Sequence, residues 1–258
     1  MSAIKAIEYD HARNAHSLQS PRLAIPIIFA DGKPKSLLDV GCGTGTWLLA
    51  ALEFGIRDVF GVDGVEIGKD KLLISPDSFG NQELTQPWEL KRSFDAALCL
   101  EVAEHLNESS AATLIDALVK HSDLVVFSAA CPNQPGQHHV NCQWPAYWQA
   151  LFNERGFACS DDLRWKIWEL GEIEPWYRQN IFVAKRAPEK AGRETRIVGA
   201  VHPEIVPGIM ESAGSSYFPK HVQQIEEGRM PLGWNLSLPF RAAMGKLRRG
   251  NYPESSGV

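Results

Sequence analysis

The sequence predicts an α/β protein: a doubly wound, mostly parallel sheet of seven strands, with a helical lid before it and an appendage after it. Apolar runs of strand length alternate with helix-length stretches, the pattern of right-handed crossovers on one sheet. One such run, Leu37 to Val40, enters a glycine turn, Gly41-Cys42-Gly43-Thr44-Gly45, and leaves it as a helix. Two other runs end in carboxylates, Asp63 and Glu101, at strand tips that face the ligand crevice of an open α/β sheet. With 258 residues, 44% of them hydrophobic and 22% charged, the chain can bury a full core.

The elements follow in order. Ser20-Pro21 reads as an N-cap with proline at the first helical position, opening a helix toward Asp31-Gly32. The segment before it, around Tyr9, His11, His16 and Ser17, is expected to lie over the crevice, which makes residues 1–34 a lid. The body, 35–186, begins with the first strand and its turn. Gly41, Gly43 and Gly45 leave the backbone open to a bulky ligand, and the next helix offers free N–H groups at its positive end. The spacing Gly-x-Gly-x-Gly, with Thr46 where a dinucleotide fingerprint wants its third glycine, favours another nucleotide-like ligand over NAD. Arg57 to Val62 is a second strand. Asp63 follows at its tip, about twenty residues past the glycines, where a carboxylate can accept the hydroxyls of a ribose. Ser93 to Leu100 reads as a buried fourth strand and Ser109 to Lys120 as a helix with Leu114, Ile115, Leu118 and Val119 inward. Asp123 to Ser128 is a fifth strand, Gln143 to Arg155 an aromatic-rich helix, Trp165 to Leu170 a sixth strand and Ile181 to Lys185 a seventh. From Ala187 onward, prolines at 188, 203, 207, 219, 231, 239 and 253 break every long element, so 187–258 is expected to be an appendage. Within it His202-Pro203-Glu204 reads as a turn, and Lys246 to Arg249 as a solvated tail.

Composition narrows the function classes. No stretch approaches the roughly 18 to 20 apolar residues of a membrane span, and no signal core follows a basic N-terminus, so a cytoplasmic protein is expected. Five cysteines without a C-x-x-C argue against a disulfide framework or structural zinc, and Cys42 and Cys99 fall on elements expected to be buried. A net charge of -5 disfavours nucleic acid as a partner.

The candidate chemistry follows the fourth strand. If the chain turns helical after Leu100, then Glu101, Glu104 and His105 stand at i, i+3 and i+4 and share a face. The loop Gly136-Gln137-His138-His139-Val140-Asn141 comes from the same end of the sheet and supplies a further imidazole, His139 in preference to His138. This mixed oxygen and nitrogen set fits Mg²⁺ or Mn²⁺, with Zn²⁺ or Fe²⁺ chemically open. Without metal, His139 or His105 is the candidate general base. Trp144, Tyr147, Trp148, Trp176 and Tyr177 form either an aromatic wall for an acceptor or part of the core, and core is the expectation. Arg178, which could hold an anion, is expected in a surface salt bridge.

Leu37-Leu38-Asp39-Val40-Gly41-Cys42-Gly43-Thr44-Gly45 resembles motif I of the class I S-adenosylmethionine (SAM) methyltransferases, which have a Rossmann-like sheet. The resemblance implies that Asp39, Gly41, Cys42, Gly43, Gly45 and Leu100 line SAM, that Asp63 and Gly64 meet its ribose, and that Glu83 and Leu84 flank the adenine. Residues 36 to about 185 resemble bacterial methyltransferases of glycan and natural-product gene clusters. That likeness rests on Gly-Val-Asp-Gly, Glu-Val-Ala-Glu-His-Leu, Phe-Ser-Ala-Ala, His-Val-Asn-Cys-Gln-Trp-Pro-Ala-Tyr-Trp and Trp-Tyr-Arg-Gln-Asn. Cys142 departs from the acid that this pattern has after Val-Asn. Glu-x-x-Glu-His with a later His resembles the metal set of small-RNA 2'-O-methyltransferases and, less closely, of quinone-biosynthesis O-methyltransferases. The expected function is O-methylation of a small molecule or saccharide with SAM, with Mg²⁺ or Mn²⁺ assistance and a homodimer left open. The rivals are a metal-dependent RNA 2'-O-methyltransferase and an idle SAM-binding subunit.

Overall fold

The computed structural model describes residues 17–212; the expected lid residues Tyr9, His11 and His16, and the basic run 246–249, lie outside the described residues. The chain divides into two compact units, 1–209 and 210–258, and the first carries everything below. Its strands are β1 (Ser36–Val40), β2 (Asp58–Asp63), β3 (Phe79–Asn81), β4 (Ala96–Leu100), β5 (Leu124–Ser128), β6 (Phe157–Ser160) and β7 (Phe182–Arg186). They form one sheet in the order β3-β2-β1-β4-β5-β7-β6. Neighbours pair in parallel except at β7, which runs antiparallel to both β5 and β6. The helices are α1 (Gln19–Ile28), α2 (Thr46–Phe54), α3 (Ala111–His121), α4 (Pro145–Asn153), α5 (Asp162–Ile167) and α6 (Pro175–Asn180).

The central strands are apolar throughout because both faces of the sheet are covered. Ala97 and Cys99 of β4 join a core with α3 and α4, whereas Ala96, Leu98 and Leu100 join another with α1, α2 and α5. Strand order reverses between β1 and β4, and a crevice opens at the carboxyl ends there. The glycine turn leaves β1 on one bank, and Glu101 to His105 leaves β4 on the other.

Local signals misled in two places. The sixth strand is Phe157–Ser160, not Trp165 to Leu170; the latter begins in α5, where Leu163 and Ile167 are buried four residues apart. The alternation Trp-Lys-Ile-Trp mimics a strand, but helical spacing buries the residues that matter. Ser20 is not an N-cap: α1 starts one residue earlier, and the buried Ser20 Oγ accepts from the backbone N–H of Glu174 at 2.8 Å. The chain just beyond Ala187 packs on the body. Gln149 of α4 donates to Glu194 (2.9 Å) and accepts from the Ile197 N–H (2.8 Å), and Ile197 is buried. Cys42 and Cys99 are core residues, as expected. Among the described residues no helix is long and apolar enough to cross a membrane.

Candidate active site

The first bank is made mainly of backbone. Gly41, Gly43 and Gly45 all have positive φ (78°, 53° and 89°), which a side chain would strain. At Gly41 a Cβ would also fall 2.3 Å from a Val102 methyl, so the residue after Glu101 packs directly beneath the turn. Asp63 ties the bank together: one carboxylate oxygen accepts the Gly43 N–H and the other the Val65 N–H, each at 2.8 Å. The Asp63 carbonyl accepts the Gln82 N–H at 2.8 Å, which brings the Glu83–Leu84 segment to the same edge. Glu83 is exposed and accepts from the backbone and hydroxyl of Thr85 (2.9 and 2.6 Å), while Leu84 is buried. At Gly64 an added Cβ would make ordinary contact with the Gln82 carbonyl at 3.7 Å and Leu84 at 3.9 Å. Cys42 and Leu100 are buried beneath this bank. Asp39 is buried too; burial first, and the Asp63 charge second, push its carboxyl up to about 8.

The second bank is made of side chains. The expected helical face does not form at Glu101, whose φ of 55° turns the chain out of β4 before a single helical turn spans Ala103–His105. The Glu101 N–H donates to the Ser128 carbonyl and hydroxyl (3.0 and 3.1 Å). Its carboxylate accepts from Gln134 Nε2 (3.1 Å) and Asn180 Nδ2 (3.1 Å). The Glu104 carbonyl accepts the Val140 and Asn141 N–H groups (2.9 and 3.0 Å), anchoring the histidine loop. The rings of His105 and His139 meet edge to face with centroids 5.1 Å apart. One ligand atom each from Glu104, His105 and His139 lies within 4.8 Å of the others; Glu101 is outside this trio, and His138 is exposed.

Burial dominates the electrostatics of the trio. Glu104 is fully buried, and neither of its carboxylate oxygens has a hydrogen-bond partner of good geometry. Burial, and next the charge of Glu101, raise its pKa well above the usual carboxylate range. Burial likewise pushes Glu101 up to about 7. Burial, and then the neighbouring His139, lower His105 to about 4; burial also lowers His139. Both imidazoles are therefore neutral at pH 7. The Nδ1 of His139 lies 2.9 Å from the Gln134 carbonyl, so it carries the proton and leaves the Nε2 lone pair for a ligand or a proton.

Other sequence candidates part company. Arg178 is buried: it donates to the carbonyls of Ile173 (2.7 Å) and Trp168 (3.0 Å), meets His202 Nε2 at 3.0 Å and pairs with Glu204 at 2.7 Å. It is an internal clamp on the 202–204 turn, not a surface pair. Trp148 is core, Tyr177 packs edge-on against Trp47, and Trp144 remains 44% exposed. Sequence reasoning missed Gln134, a buried residue whose only local signal is the Pro135-Gly136 turn after it. Asn180, read merely as polar, is its partner at 3.0 Å.

Residues 9–171 match the family model described as "Methyltransferase domain", and the chain belongs to that family. Sheet order and glycine turn make it a class I, SAM-dependent methyltransferase. A curated relative, the ribosomal protein L11 methyltransferase of Tolumonas auensis, is 33% identical over 121 residues, 44% of this chain. The match spans 40% of that relative's length. Among solved structures, DesVI of Streptomyces venezuelae is similar with a TM-score of 0.54 and 16% identity, covering 70% of this chain and 100% of that one. The sugar N-methyltransferase KedS8 of Streptoalloteichus sp. ATCC 53650 gives 0.53 and 16%, covering 68% and 90%. At such identities these likenesses concern the fold.

Proposed function

We propose that this methyltransferase acts on a hydroxyl oxygen of a small molecule or saccharide, with Mg²⁺ or Mn²⁺ held by Glu104, His105 and His139. The convergence of those three ligand atoms at the crevice, around a buried carboxylate whose oxygens lack a hydrogen-bond partner of good geometry, is the observation that carries the reading. The residues fit both groups. Gly41, Gly43 and Gly45 would hold the methionine end of SAM, Asp63 with Gly64 its ribose, and Glu83 with Leu84 its adenine. SAM supplies an electrophilic sulfonium methyl, and a divalent cation, when bound, lowers the pKa of a hydroxyl.

The chain's own part is position and proton management. Asp63 holds the turn through Gly43, so the cofactor bank is set before the ligand arrives. Gln134 fixes the tautomer of His139 through its carbonyl and steers Glu101 through its amide. His139 Nε2 can then ligate the cation or, in its absence, take the acceptor proton. Glu101, steered by Asn180 and Gln134, is the carboxyl that takes up a proton near pH 7.

The test is calorimetric titration of SAM and S-adenosylhomocysteine into chelator-stripped full-length protein, then of Mg²⁺, Mn²⁺ and Zn²⁺, with wild type and His139→Ala. Cofactor binding with a metal signal lost in the variant is the expected result. Cofactor binding without any metal signal would overturn the metal and leave the histidine base; no cofactor binding would overturn the whole reading.

A further inference from the structure

A surface groove of about 430 Å³ lies between the start of α4 and the segment 196–199, lined by Trp144, Ala146, Arg196, Ile197, Val198 and Gly199. One face of the Trp144 indole lies on the bare backbone of Gly199, where an added Cβ would meet the ring at 2.5 Å. The residue is nevertheless 44% exposed, and Val198 beside it 72%. Among the described residues Arg196 is the only charged one of the lining, and it makes no hydrogen bond or ion pair.

The groove lies within short chain reach of the site. Asn141 is pinned to the Glu104 carbonyl, and Trp144 follows three residues later, a span of at most about 11 Å for extended chain. The volume is that of a small-ligand pocket, and the patch is far smaller than the roughly 800 Å² per partner of a protein interface. A partly exposed indole, fixed from behind, offers a flat apolar surface to a ring. A guanidinium without a counter-ion offers a planar fork to a carboxylate or phosphate.

We infer that this groove receives the methyl acceptor, and that the acceptor is a ring compound bearing an anionic group, its ring face on Trp144 and its anion on Arg196. The inference rests on the methyltransferase reading and narrows its substrate class. It also separates Trp144 from Trp148: the two tryptophans of one helix turn have different duties, because only the first faces the groove.

The test uses the full chain saturated with S-adenosylhomocysteine and two matched probes, 4-nitrophenyl β-D-glucuronide and 4-nitrophenyl β-D-glucoside, which differ in a carboxylate. Wild type is expected to bind the glucuronide about tenfold more tightly than the glucoside, a difference of about 1.4 kcal/mol. Arg196→Ala should erase that preference. Trp144→Ala should weaken both probes, and Gly199→Ala, which displaces the indole without removing it, should do so to a smaller degree. S-adenosylhomocysteine binding, measured in each variant, reports the fold and the cofactor bank. If it is intact while wild type binds neither probe, or binds both equally, or Arg196→Ala keeps the preference, the inference is overturned and the methyltransferase reading stands. If wild type fails to bind S-adenosylhomocysteine, the underlying reading falls with it, whatever the probes do.

Discussion

The two banks of the crevice are built by opposite means. The glycine bank centres on one short stretch, residues 39–64, with the Glu83–Leu84 segment at its edge, and works mainly through backbone: three glycines with positive φ, and one aspartate that accepts two N–H groups. The second bank joins the side chains of Glu101, Gln134 and Asn180 with the His139 ring, which is held on the Gln134 backbone carbonyl; Glu101 and Asn180 stand 79 positions apart in the chain. Backbone geometry depends on few side chains and serves any enzyme that uses the same cofactor. A side-chain assembly depends on each member, and is where the chemistry of one acceptor can be specified.

The comparison breaks most visibly at His139. His139→Ala should lower the rate of methyl transfer by about 10²–10⁴-fold while S-adenosylhomocysteine affinity stays within experimental error. Steady-state rates with a transferable acceptor and calorimetry check this; a rate within threefold of wild type would remove His139 from the chemistry. Next comes Asn180→Ala, which frees the Glu101 carboxylate from one of its two amide donors. A loss of about 10–100-fold in kcat is expected, with little change in cofactor affinity and a displaced acidic limb in the pH profile. An unmoved limb would make Asn180 merely structural.

On the other bank, Asp63→Ala leaves two backbone N–H groups without their acceptor. It should cost about 1–3 kcal/mol of stability in urea unfolding and weaken SAM binding at the same time. If stability falls and SAM affinity does not, the ribose contact is wrong. The smallest effect concerns Asp39. Its native carboxyl, raised to about 8, keeps a proton that the unfolded chain loses near pH 4. The native state binds more protons between those values, so the Asp39 contribution is fully present below about pH 4 and declines as pH rises toward 8. Asp39→Asn should therefore flatten the fall of the urea midpoint between pH 5 and pH 8; parallel curves for variant and wild type would refute the assignment.

Much of the glycine bank is legible in the sequence because it is local. A strand entering glycines at Gly41, Gly43 and Gly45, and a second strand ending at Asp63, are readable from period and spacing. Glu104, His105 and His139 were also recognisable, by residue type and by their place after strands. The geometry among them was not, since the helical face expected for Glu101, Glu104 and His105 assumes a backbone that Glu101 leaves at its φ of 55°. Gln134 carried no signal beyond the Pro135-Gly136 turn after it, because an amide beside a turn looks the same whether it faces solvent or a carboxylate.

By itself, then, the sequence determined what short-range physics governs: apolar runs that make strands buried on both faces, glycines where the backbone must take positive φ, and carboxylates at strand tips. Tertiary structure alone decided which polar residues meet. It buried Arg178 as a clamp on His202 and Glu204, gave Glu101 to Gln134 and Asn180, and left Trp144 in a groove while Trp148 went to the core. The reason is that a side chain's partners are set by packing between segments distant in the chain, and neither composition nor periodicity encodes which distant segment will arrive.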